Sequence, residues 1–83
     1  MKKENIKIKY MARVFEVTPR QILRKNGAVL TPEMRVTVTT AMNVSSPFYN
    51  GAQEIKAAYM RMYGFDYVRT NCTQNDFTFR ALG

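Results

Sequence analysis

The chain has no histidine, one cysteine and only six acidic residues among 83. Without histidine there is no Ser-His-Asp triad, no Cys-His dyad, no histidine metal site and no imidazole proton shuttle. Cys72 stands alone, so neither an intramolecular disulfide nor a thiolate zinc cluster forms within one chain. A secreted domain of this size normally needs such staples, so a reducing, cytoplasmic setting is expected. Long apolar runs are missing too, and nothing approaches the ~18 apolar residues of a membrane span. Ile6, Ile8 and Tyr10 alternate with Lys7, Lys9 and Met11, which is not the unbroken apolar core of a secretion signal. The glycosylation patterns Asn43-Val44-Ser45 and Asn71-Cys72-Thr73 are then chance matches.

What is present is a hydrophobic fraction of 46%, enough for a packed core and too high for a disordered basic tail. At this length a single domain over residues 1–83 is expected, burying about 60–65% of its unfolded surface. The formal charge is +7, and it is unevenly placed. Residues 1–35 hold nine Lys/Arg against Glu4, Glu16 and Glu33, whereas no charged residue occurs between Val36 and Gln53. One electropositive side and one neutral side are implied.

The hydrophobic pattern predicts an α+β fold: a small, mostly antiparallel sheet of about four strands with one principal amphipathic helix on one face. Asn5 to Val17 alternates as a strand, with Ile6, Ile8, Tyr10, Ala12 and Val14 inward and a basic outer face carrying Lys7, Lys9, Arg13 and Phe15. Residues 18–33 admit two readings. Thr18-Pro19 and Gly27 bracket a short helix, or Asn26-Gly27 turns a hairpin between Gln21–Arg24 and Ala28–Thr31; the extended formers Val29 and Leu30 favour the hairpin. Met34 to Met42 is the clearest strand, with Met34, Val36, Val38, Thr40 and Met42 on one side. Ser45-Ser46-Pro47 and Asn50-Gly51-Ala52-Gln53 both resemble helix starts, the second with capping-box spacing. Ala52, Ile55, Ala58, Tyr59 and Met62 form one stripe, and Gly64 ends the helix. Phe65–Cys72 and Asp76–Leu82 read as strands joined at Thr73-Gln74-Asn75.

The strongest chemical signal is the basic group Lys7, Lys9, Arg13, Arg20, Arg24 and Lys25, suited to neutralising phosphates, with Phe15 placed to stack on bases. No helix is basic enough to fill a major groove, so RNA is favoured over DNA. Arg61, Tyr63, Gly64 and Phe65 match part of the strand motif of RNA-recognition domains. Met62, Asp66 and Val68 break it and a helix end would interrupt it, so that motif is not assigned. A second reading places a protein interface at Met60 and Tyr63 on the helix flank. It describes a small interaction module or inhibitor, of the kind phages direct against a host nuclease or defence complex. No enzyme is expected. Carboxylates are scattered, no phosphate-cradling glycine loop exists, and Glu16 with Arg13 and Tyr10 is the only conceivable histidine-free phosphodiester-cleaving group. No cofactor, metal or membrane is expected, and Cys72 reads as a small buried hydrophobe.

Overall fold

A computed structural model of the chain describes residues 12–41 and 43–82. Strand β1 (Ala12–Pro19) lies between β4 (Val36–Ala41) and β5 (Phe77–Ala81), antiparallel to both. Strands β2 (Leu23–Lys25) and β3 (Ala28–Leu30) form a separate hairpin. One helix, α1 (Gln53–Tyr63), packs against β4. The fold is therefore α+β, with antiparallel sheets and, among the described residues, a single packed helix. No helix among the described residues is long and apolar enough to cross a membrane.

The hairpin reading of residues 18–33 prevails. Asn26 and Gly27 have φ of 50° and 80°, the consecutive positive values of a type I′ turn, whose twist suits two short strands. Pro19 does not open a helix; it closes β1 and is buried. Its missing N–H faces the side where β4 has already ended, since the β1–β4 pairing stops at Val17 and Val36. No ladder hydrogen bond is lost there.

The facing of β1 is the reverse of the one expected. Phe15, only 1% exposed, Val17 and Pro19 point into the core, while Ala12, Val14, Glu16 and Thr18 stay half-exposed. The bulkier set removes more apolar area from water, and a strand shows only one of its two faces to the core. Strand β4 follows its alternation, with Val36, Val38 and Thr40 buried.

Helix α1 begins at Gln53, after Ala52 in a left-handed conformation, and the Asn50 side chain accepts the Gln53 N–H at 3.2 Å. The Ser45-Ser46-Pro47 segment makes turns, not a helix. Ile55, Ala58 and Tyr59 are buried as the stripe predicts, but Met62 is 57% exposed, because burial of the stripe stops one turn before the helix ends. Gly64 does terminate α1, at φ 61°.

Residues 65–72 are not a strand. Asp66 accepts the Arg69 N–H at its Oδ1 (3.0 Å), and its carbonyl accepts both the Thr70 N–H (3.1 Å) and the Thr70 hydroxyl (2.7 Å). These local bonds coil the segment and compete with strand pairing. Phe65, Tyr67, Thr70 and Cys72 still go inward, as points on a compact turn.

The core meets at Phe77, whose ring lies 5.5 Å from Tyr59, 5.7 Å from Tyr67 and 6.0 Å from Phe48. Truncating Phe77 to Ala should destabilise the fold by about 3–5 kcal/mol. Tyr59 is buried and its hydroxyl has no hydrogen-bond partner among the described residues. Removing an unsatisfied buried hydroxyl relieves a desolvation cost. Tyr59→Phe should therefore leave the urea midpoint unchanged or raise it by up to about 1 kcal/mol of stability. Urea titration of both variants by circular dichroism checks this; a Tyr59→Phe loss as large as that of Phe77→Ala would show the hydroxyl to be bonded.

Candidate nucleic-acid interface

The hairpin is fastened to the segment after α1 by three contacts, and Arg20 just before it adds a fourth. Asn26 Nδ2 donates to the Arg69 carbonyl at 2.9 Å, and Lys25 Nζ donates to the Asn71 carbonyl at 3.4 Å. Lys25 Nζ also sits 3.7 Å from Asp76 Oδ2, and the Arg20 N–H donates to the Asp76 carbonyl at 2.9 Å. These contacts bring the backbone at Arg20, Lys25 and Arg69 together around Asn71 and Asp76, with Arg24 next to Lys25 on β2. Arg20, Arg24 and Arg69 are exposed, as are the amides Gln21, Asn26, Asn71, Gln74 and Asn75 on the same segments. Arg20 borders a shallow cleft of about 310 Å³ along β5, and Arg69 borders another of about 380 Å³ between the hairpin and the end of α1. Asp76 moderates this charge, because its carboxylate accepts the Thr73 N–H at 2.9 Å and faces Lys25.

The predicted basic face is divided. Lys7 and Lys9 lie outside the described residues. Arg13 stands at the opposite end of β1 from Arg20, about 23 Å away at strand spacing. Its guanidinium donates to the Val44 carbonyl at 2.8 Å and lies 5.1 Å from the Phe15 ring centroid, which pins the loop after β4. Phe15 is a correction: buried in the core, it has no face to offer a base. Arg69 was not anticipated. Only Asn26, 43 positions away, reveals its place, and no local pattern carries that signal.

The remaining charges are spent elsewhere. Glu16 points to the sheet face opposite Arg13, where it bonds Arg80 at 3.0 Å and lies 3.9 Å from Arg35. The Glu16–Arg13 pairing expected of a phosphodiester-cleaving group is absent, and Tyr10 lies outside the described residues. Met60 and Tyr63 are 49% and 37% exposed at the end of α1, and the Tyr63 hydroxyl donates to the Arg35 carbonyl at 2.7 Å. Among the described residues no group of three or more Cys, Asp or Glu is placed to hold a metal ion.

The chain belongs to the DUF6140 family, a family of unknown function. The family model matches residues 11–79. Arg13, Arg20, Arg24, Lys25 and Arg69 fall within the match, whereas Lys2, Lys3, Lys7 and Lys9 lie before it. No curated protein and no solved structure matches the chain.

Under the basic end lie three groups held in their neutral forms. Burial pushes the Tyr67 phenol up to about 12, with Cys72 and Asp76 adding to the effect. Burial likewise raises Tyr59, and it raises the Cys72 thiol despite the Thr70 hydroxyl 3.4 Å away. A phenol whose folded value lies above its ordinary 10.0 contributes stability that is complete below pH 10 and lost as pH climbs through 12. The Cys72 thiol has the same sign from its ordinary 9.0, so urea midpoints should hold steady up to about pH 9 and fall from there through 12. Cys72 should react with an alkylating reagent only as the chain unfolds; prompt labelling of the native protein would contradict its burial.

Proposed function

We propose that the protein is a small, non-catalytic nucleic-acid-binding protein that grips phosphates through Arg20, Arg24, Lys25 and Arg69. What supports this is the joining of the segments that carry those cations, through Asn26 to Arg69, Lys25 to Asn71 and Arg20 to Asp76, with five exposed side-chain amides on the same segments. Guanidinium groups neutralise phosphate and release counterions, and amides read unpaired base edges. RNA is favoured over DNA because this end is built from turns and a hairpin. Helix α1 carries Lys56 and Arg61 beside Glu54, too little charge to enter a major groove. A reducing cytoplasmic setting accompanies this reading, since the single thiol is buried and unpaired.

The test is filter binding to single-stranded and hairpin RNA over a salt series. Four phosphate contacts give a log–log slope of about −3, and each Arg→Ala change at 20, 24 or 69 should flatten it by about one. Arg80→Ala, on the other sheet face, should leave the slope alone. A flat salt dependence, or no binding at low salt, overturns the proposal.

A second reading has its own observation. Met60, Met62, Tyr63 and Val68 are all exposed around the end of α1, and Tyr and Met are enriched at protein interfaces. Under that reading the protein is an interaction module or inhibitor. Purification with and without nuclease separates the two. Co-eluting nucleic acid supports the first, and a discrete protein complex indifferent to nuclease supports the second.

A further inference from the structure

Among the described residues strand β4 is an edge of the three-stranded sheet, and its own sequence carries none of the usual protections of an edge. Its sequence Val-Thr-Val-Thr-Thr-Ala holds no charge, no proline and no glycine. The direction of its free groups follows from the ladder. The Val14 carbonyl accepts the Leu82 N–H, so Val14 and Glu16 bond toward β5, while Arg13, Phe15 and Val17 bond toward β4. Their partners Thr40, Val38 and Val36 are thereby satisfied. The N–H and C=O groups of Thr37 and Thr39 point away from β1, and have no backbone partner among the described residues.

That open edge borders a concave strip of about 280 Å³ lined by Thr37, Val38, Thr39, Glu54, Ala57 and Arg61. Glu54 and Arg61 lie seven residues apart along one flank of α1, with Ala57 between them, and they form no ion pair within the chain among the described residues. The Glu54 carboxylate is held in place by the Tyr49 hydroxyl at 3.1 Å and by Asn50 Nδ2 at 3.4 Å. An acid and a base equidistant from a centre are complementary to their own image under a two-fold rotation.

We propose that β4 pairs antiparallel with β4 of a second copy of this chain, about a two-fold axis through Val38. Thr37 then exchanges backbone hydrogen bonds with the partner's Thr39, and the three strands become six. The α1 helices run antiparallel, Glu54 of each facing Arg61 of the other. Ala57, small and exposed, stands where the helices approach most closely, at the short end of the ~8–10 Å separation of packed helices. The inference is independent of nucleic-acid binding, because the cations at 20, 24, 25 and 69 are not part of this edge.

Light scattering coupled to size exclusion tests it on the full chain. The expected mass is twice 9.6 kDa. Thr39→Pro removes the outward N–H and leaves the β1 ladder whole, so it should yield a folded monomer. Arg61→Glu alone places like charges across the axis, as does Glu54→Arg alone, and each should run at 9.6 kDa with an unchanged circular dichroism spectrum. Mixing the two charge variants restores both opposite-charge pairs and should restore the dimer. A wild-type chain monomeric at about 100 μM overturns the proposal, since specific interfaces of standard size are far tighter. So does a dimer that survives all three substitutions. Should Thr39→Pro unfold, the single and mixed charge variants still decide.

Discussion

The rest of the structure hangs on the burial of one aromatic ring. Phe77 opens β5, the last strand to join the sheet, and its ring collects Tyr59 from α1, Tyr67 from the coiled segment and Phe48 from the loop after β4. The Tyr67 ring stacks on it with an interplanar angle of 12°. Four parts of the chain that share no hydrogen-bonded ladder are therefore joined through one side chain. Aromatic groups suit this role in a small domain, since each removes a large apolar area from water and interacts with several neighbours at once. Asp76, the residue before it, meets Lys25 of the β2–β3 hairpin with its carboxylate and the Arg20 N–H just before the hairpin with its carbonyl. The position of the basic end is thus a consequence of where Phe77 is buried.

Features with a local physical cause were legible in the amino-acid order. Asn26-Gly27 specifies a turn because both residues tolerate positive φ, and Gly64 stops α1 for the same reason. The β-branched alternation of Val36 to Thr40 identified a half-buried strand and its inward face. Features that depend on distant partners were not legible. Two sets of residues on β1 compete for the core, and the winner is decided by β4, α1 and β5, so Phe15 was placed outside when it lies within. In residues 65–72 the aromatic alternation resembles a strand. The carboxylate and carbonyl of Asp66 nonetheless bind backbone and hydroxyl groups three and four residues on, and this coils the chain. Met62 keeps the angular position of the buried stripe yet stays in water, because no pattern in a helix states how far its cover extends.

The same distinction governs the candidate site. Arg20, Arg24 and Lys25 are neighbours in sequence and were found together; Arg69 joins them through Asn26, and Arg13 leaves them to brace the Val44 loop. The charge asymmetry between the two halves of the chain is therefore only partly an asymmetry of surface. Arg80 and Arg35 share Glu16 across the open sheet face, which keeps that face closer to neutral than a count of its cations suggests.

The central strand of the sheet is also the first among the described residues. Its neighbour β5 pairs with it across 64 positions, as between Glu16 and Arg80. Contacts of such long separation require most of the loop-closure entropy to be lost before any of them forms, which slows folding. During synthesis, β1 emerges with one edge unpaired until β4 follows, and the other stays unpaired until residue 81 has left the ribosome. For that interval the nascent chain exposes Phe15 and Val17 beside open backbone groups, so the length of its vulnerable period is set by how far β5 lies behind β1 in the chain.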